Sequence, residues 1–167
     1  MPLQSLCWYC LFQALVLLLV SNGAPVIASR VLGNRLAMPI DNGLYLGDGQ
    51  RLLGITKTWR GLFSAIFITT VIAILCGLEP ITGVLFGMLT MLGDMLASFV
   101  KRRLGKVESS QARGFDTIPE TLLPLYLLKE PLGLDFIDVI LIVVLFFLCE
   151  EFFSPILYRL HIRNKPY

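Results

Sequence analysis

Residues 81–103 read ITGVLFGMLTMLGDMLASFVKRR. The twenty residues from Ile81 to Val100 carry one ionisable side chain, Asp94, and stop at three consecutive cations, Lys101, Arg102 and Arg103. About 20 apolar residues are needed to cross the hydrocarbon core of a bilayer, so this stretch reads as a transmembrane helix. Gly83 and Gly87 form G-x-x-x-G, with Gly93 and Ala97 further along. Small residues one turn apart let helix backbones approach closely in lipid. The motif marks a packing face and carries no chemistry of its own.

Working outward, similar runs flank this one. Leu62 to Leu78 is bounded by Gly61 and by Glu79-Pro80. Leu3 to Val20 lacks the basic stretch that opens a signal peptide and reads as a spanning helix. Ile137 to Leu148 is the most apolar run and extends towards Tyr158. Ile118 to Leu128 is short and contains Pro119 and Pro124. Prolines kink membrane helices that neighbours repair, so it reads as a fifth, packed-in segment, with a re-entrant segment as the alternative. Hydrophobic residues make up 56% of the 167 and charged residues 16%, against about 45–50% and about 25% in soluble domains. That composition excludes a disordered chain, a disulfide scaffold and a free nucleic-acid-binding module. The expectation is an all-α integral membrane protein with about five transmembrane helices, one polytopic domain over 1–167, and two cytoplasmic loops, about 21–61 and 101–117, forming the active site.

Charge placement agrees with five crossings. With that number, thirteen of the fourteen Lys and Arg residues fall on one side, and only Lys129 lies opposite. Such asymmetry marks the cytoplasmic face, so the N-terminus is expected outside and the C-terminus inside a cell membrane. Four crossings would split the basic blocks. Cys7 and Cys10 make a C-x-x-C that no second pair or nearby His completes. With Cys76 and Cys149 they read as small apolar side chains on membrane helices.

An ionisable residue within a membrane segment is expensive and is a candidate for function. Helical spacing puts Asp94, Ser98, Lys101 and Arg102 on one stripe. Asp94 is either a functional acid or the internal partner of Lys101 or Arg102. Asp116 and Glu120, one helical turn apart, open the proline-kinked segment. Carboxylates from two helices near a membrane surface suit a hard cation such as magnesium, while an Asp at a helix start also suits a cap. The first long loop reads PIDNGLYLGDGQRLLGITKTWRG over 39–61. Its glycines favour tight turns. Arg51, Lys57 and Arg60 supply cations, Thr56 and Thr58 hydroxyls, and Trp59 a ring. This is either a phosphate-binding loop or a basic loop on anionic headgroups. It is not a Walker A motif. Asp138, Glu150 and Glu151 bracket the last apolar run and read as interface residues. His161, the only histidine, lies in the polar tail and is not expected to act as a nucleophile.

Taken together, Pro39-x-Asp41-x-Gly43, Asp48-Gly49-x-Arg51-x-x-Gly54 and Lys57-Thr58-Trp59-Arg60-Gly61 resemble the first conserved loop of archaeal CDP-archaeol synthases. Gly93-Asp94, Ser98-Phe99-x-Lys101-Arg102-Arg103 and Phe115-Asp116-x-Ile118-Pro119-Glu120 resemble their second. The second set is also similar to the signature of phosphatidate cytidylyltransferases, in which S-x-x-K-R follows an aspartate and leads to D-x-x-D. Here Pro119 stands third after Asp116, with Glu120 one further, so the resemblance supports Asp116 as a metal ligand better than Glu120. Ser109 to Gln111 replaces a more glycine-rich link.

The resemblance implies transfer of CMP from CTP to an isoprenoid ether-lipid phosphate, 2,3-bis-O-geranylgeranylglycerol 1-phosphate, with loss of pyrophosphate. It implies magnesium on Asp94, Asp116 and Glu120 as the catalytic set. Substrate phosphates would be held by Lys57, Thr58, Arg60, Ser98, Lys101, Arg102 and Arg103, with Asp41, Asp48 and Arg51 completing the substrate-binding loop. The partners are then CTP, the lipid phosphate and membrane lipids, with no nucleic acid. The rival classes are a small ion or phosphate transporter and a scaffold anchored on anionic lipid. The first lacks an inverted repeat of broken helices. The second leaves the acids beside the cations unexplained.

Overall fold

The apolar runs become five helices in the computed structural model, which describes residues 7–106 and 115–159, with side chains through 152. They are α1 (Trp8–Leu32), α2 (Trp59–Leu75), α3 (Pro80–Arg103), α4 (Thr117–Leu127) and α5 (Phe136–Arg159). Among the described residues there is no strand, only two isolated bridges within the loop between α1 and α2, Pro39 with Thr58 and Tyr45 with Arg51.

Glycine decides how closely the helices meet. A Cβ on Gly83 would stand 2.7 Å from Thr70 Cα and Ala73 Cβ, and one on Gly87 would stand 2.9 Å from Ile66 Cα. The G-x-x-x-G face therefore seats α3 directly on α2. Gly93 does the same towards α4, where a Cβ would stand 2.5 Å from Glu120 Cα. Leu11, Ala14, Leu17 and Leu18 of α1, Phe86 of α3, Leu125 of α4, and Val139, Ile142 and Phe146 of α5 fill the core. The opposite stripe of α3, Leu85, Met88, Leu92 and Leu96, is exposed and wholly apolar. A water-facing helix would be polar there; an apolar outer face is what a lipid solvent requires. Two helices, α1 and α3, are long and apolar enough to cross a membrane, and α2 is a shorter apolar helix of 17 residues.

Three expectations are corrected. The first helix continues past Val20 to Leu32, through Pro25, where the loop was expected from Ser21. Ala24 is buried and Pro25 packs 3.4 Å from the position a Gly61 Cβ would take, so packing on α2 holds this stretch helical. The loop proper begins at Gly33. Cys7 and Cys10 are joined in a disulfide rather than serving as apolar filler. Cys7 stands at the N-cap of α1 and Cys10 one turn inside, which brings their Cα atoms to 5.2 Å. The third correction, to Glu150, belongs with the site.

The bundle has two unlike ends. At one, the Tyr9 hydroxyl and the Gln13 amide donate to the carbonyl of Cys76 after α2, and the turn following α4 brings Gly133 against Cys10. At the other lie the α1–α2 loop, the last turns of α3 and the start of α4.

Candidate active site

The loop at this second end is built around one carboxylate. Asp41 is buried. Its Oδ1 accepts from the Gly43 N–H at 3.0 Å and from Arg51 Nη2 at 3.1 Å; its Oδ2 accepts from the N–H groups of Leu53 at 3.2 Å and Gly54 at 3.0 Å. Gly54 has φ +112°, a conformation open to glycine and strained for other residues. Burial pushes the Asp41 carboxyl up, but the N–H groups of Gly54, Gly43 and Leu53, together with Arg51, outweigh it and hold the carboxyl below its ordinary 3.8.

Three further residues moor the loop to the helices. Thr58 caps α2, accepting from the Gly61 N–H at 3.2 Å. Arg60 donates to the carbonyls of Gly33 and Arg35 at 2.7 and 2.8 Å, closing the α1 exit. Arg103, at the end of α3, pairs with Asp48 at 3.0 Å, donates to the carbonyl of Arg51 at 2.7 Å, and lies over the Phe99 ring. Antiparallel pairing of Ile40 N–H with Lys57 C=O, and of Trp59 N–H with Met38 C=O, then fixes the backbone on both sides of Lys57.

From this mooring Lys57 reaches α3, and its Nζ lies 2.6 Å from Asp94 Oδ2. Asp94 is thus paired across the fold, not with Lys101 or Arg102 of its own helix. Lys101 instead meets Asp116 at 2.9 Å. Asp116 stands at the cap position but makes no side-chain cap bond to α4, so of the two roles expected for it, cap and metal ligand, the cap is not made. Glu120, one turn into α4, is buried, and Asp94, Glu150, Lys57 and Asp116 all act on it electrostatically. Ser98 and Arg102 are buried on α3.

The sequence-derived set therefore divides. Lys57, Asp94, Lys101, Asp116 and Glu120 come together in one acid–cation cluster. Asp41, Asp48, Arg51, Thr58, Arg60 and Arg103 have partners within the loop and its moorings. Among the described residues no three His, Cys, Asp or Glu side chains gather closely enough to hold a metal ion. The link at Ser109–Gln111 and the tail with His161 lie outside the described residues. Glu150, expected at the interface, accepts from the Thr117 hydroxyl at 2.7 Å beside Asp116. In sequence it hides at the end of an apolar run, and only its Glu-Glu pairing with Glu151 marks it.

A family model described as CarS-like CDP-archaeol synthase matches residues 8–80 and 79–167. A CDP-archaeol synthase of Sulfurisphaera tokodaii is 33% identical, over 96% of this chain and 98% of its own length. The chain belongs to the CDP-archaeol synthase family. A second family member, from Sulfolobus acidocaldarius, is 35% identical over 89% of this chain and 91% of its own. Among solved structures, an intramembrane enzyme for archaeal membrane lipids biosynthesis superposes with a TM-score of 0.67 at 26% identity, covering 81% of this chain and 89% of that one. The loop motif and the cluster lie in the stretch that both family members cover.

Proposed function

We propose that this chain is a CTP-dependent lipid cytidylyltransferase, a transferase of membrane lipid biosynthesis that moves CMP from CTP onto 2,3-bis-O-geranylgeranylglycerol 1-phosphate. Beside family membership, one observation carries the reading. A basic loop and the ends of two apolar helices meet through paired lysines and aspartates, Lys57 with Asp94 and Lys101 with Asp116. A site that joins a lipid to a nucleotide needs this position, because the lipid arrives within the bilayer and CTP arrives from water.

In the reaction, an oxygen of the lipid phosphate attacks the α-phosphorus of CTP. The bond to the β-phosphate breaks, and its electron pair leaves on pyrophosphate. A phosphate monoester, with a second pKa of about 6, is already ionised at neutral pH, so the protein supplies no general base. Positioning and charge neutralisation carry the catalysis. A triphosphate offers Lys57 and Lys101 more negative charge than a single carboxylate does. Each ammonium passes from its aspartate to phosphate oxygens, and Arg102 adds a third positive charge on the next position of α3. Asp41 and its four donors keep the loop in shape while Lys57 moves.

Transfer of Lys57 and Lys101 leaves Asp94 and Asp116 open. Each is a hard oxygen ligand of the kind magnesium takes, and the ammonium groups now on them support cationic charge at these two positions; among the described residues Glu120 does not gather with them closely enough to complete a three-carboxylate site. When bound, magnesium supplies charge stabilisation for the leaving pyrophosphate.

The two ends of the bundle support five crossings. The eleven residues of α4 rise only about 16 Å, yet the turn after them reaches the end where α1 begins. The helix and its turn together cross what the helix alone does not. The Lys and Arg asymmetry supports the reading with the N-terminus outside and the site on the cytoplasmic face.

The test is pyrophosphate release by detergent-purified protein. Release that requires both CTP and the lipid phosphate, and that stops in EDTA, is the expected result. No release with both substrates and magnesium present would overturn the reading. Full release in EDTA would remove magnesium from it.

A further inference from the structure

α4 begins without the device that usually fixes a helix start. Asp116 stands at the cap position with helical backbone angles, φ −77° and ψ −45°, and makes no cap bond. Its carboxylate is committed to Lys101. The first turn of α4 nevertheless has to be held, because it carries both Asp116 and Glu120. On one flank it rests against Gly93 of α3. On the other flank stands α5. Thr117, the first residue of α4 and 4% exposed, donates its hydroxyl to Glu150 Oε2 at 2.7 Å. The Thr117 carbonyl in turn accepts from the Thr121 hydroxyl at 2.6 Å, within the same turn. The negative charge of Glu150 also lies where a helix start favours an anion.

The geometry points to Glu150 as a positioning residue for the reaction: through Thr117 it sets the first turn of α4, and so holds Asp116 and Glu120 opposite Asp94. The hydrogen bond joins residues 33 apart in sequence, and it makes α5 the third helix of the site. In this proposal Glu150 acts through Thr117 and not on a substrate. The inference rests on Asp94, Asp116 and Glu120 being the catalytic cluster.

The experiment measures kcat and KM for CTP in detergent for Glu150→Ala, Glu150→Gln, Thr117→Val, Thr117→Ser and the double variant Glu150→Ala/Thr117→Val, with Asp116→Asn as reference. Residues that orient a ligating group act through it, and their loss costs about 10–100-fold. Glu150→Ala and Thr117→Val should each lower kcat by about that factor and leave KM for CTP nearly unchanged. The double variant should be no worse than the poorer single one, because both remove one interaction. Glu150→Gln keeps an oxygen that accepts from Thr117, and Thr117→Ser keeps the hydroxyl; both should stay within about fivefold of the parent. Losses that multiply in the double variant, or a Gln variant as poor as the Ala variant, would overturn the proposal. Should the Ala and Val variants fail to fold, the Gln and Ser variants still decide, since each preserves the bond and must remain active. A fully active Asp116→Asn would count against the cluster itself, and an inactive one beside a normal Glu150→Ala would count against Glu150 alone.

Discussion

The loop between α1 and α2 and the cluster between α3 and α4 lie side by side and treat charge in opposite ways. In the loop, Asp41 is surrounded by three backbone N–H groups and one arginine. Arg60 and Arg103 donate to backbone carbonyls. These partners are part of the chain's own fold and cannot leave without unmaking it. In the cluster, Asp94 and Asp116 are each met by one lysine, a flexible point charge. Such pairs exchange partners readily, because a lysine loses little on moving from one oxygen anion to another. Arginine on carbonyls builds the loop; lysine on carboxylates is the part that moves in the proposed reaction.

The hardest blow to that distinction is expected at Asp94. Asp94→Asn keeps size and hydrogen bonding but removes the charge. Turnover should fall by roughly a thousandfold, about 4 kcal/mol of transition-state stabilisation, while the melting temperature in detergent changes little, since both partners are partly exposed. A folded, fully active Asp94→Asn protein would end the assignment of Asp94 to catalysis.

Asp41→Ala should show the reverse balance. It strands the N–H groups of Leu53 and Gly54 and leaves Arg51 unpaired. The loss should be about 3 kcal/mol of stability, read as a lowered melting temperature, with activity falling only as far as the loop fails to form. Unchanged melting with lost turnover would make Asp41 a substrate ligand after all.

Smaller effects should separate the two kinds of cation. Lys57→Ala deletes one phosphate partner and leaves the carboxylates in place, so a loss of about 10–100-fold should appear partly in KM for CTP or lipid. Arg60→Ala should instead act on melting, with KM near the parent value. Equal KM changes in the two variants would erase the contrast.

The mildest test is pH. The Asp41 carboxyl is held below 3.8 in the folded loop, so its ionised form binds the fold better than its protonated form does. That stability is fully present above 3.8 and is lost as pH falls through the lowered folded value. Melting followed from pH 5 downward should show the parent losing stability in this acid window, with Asp41→Asn flatter across it. Parallel curves would show that Asp41 does not link the loop to pH.

Much of this was legible in the sequence. The five apolar segments became five helices, because runs of that length and composition have one good solution in lipid. Asp94 and Asp116 stood out as acids within or beside apolar helices, and both entered the cluster. What the sequence concealed was partnership. Lys57 lies 37 residues from Asp94, and helical spacing offered Asp94 a nearer partner in Lys101, which the fold gives to Asp116. Nothing in K-T-W-R distinguishes the lysine that reaches the acid from the arginine that braces α1. Glu150 looked like an interface residue because its role depends on where α5 packs, and Gly93 looked like one more small residue in a stripe. The end of α1 was misplaced because the apolar run stops at Val20, whereas the helix continues through Pro25 to Leu32 with Pro25 packed towards Gly61 of α2.

The Asp41 arrangement has one more consequence, for biogenesis. Every partner of Asp41 lies between residues 43 and 54. All of them precede α3 in the chain and leave the ribosome before it does. The loop can therefore take its shape while only α1 is in the membrane, and α3, arriving later, finds Lys57 already presented to Asp94.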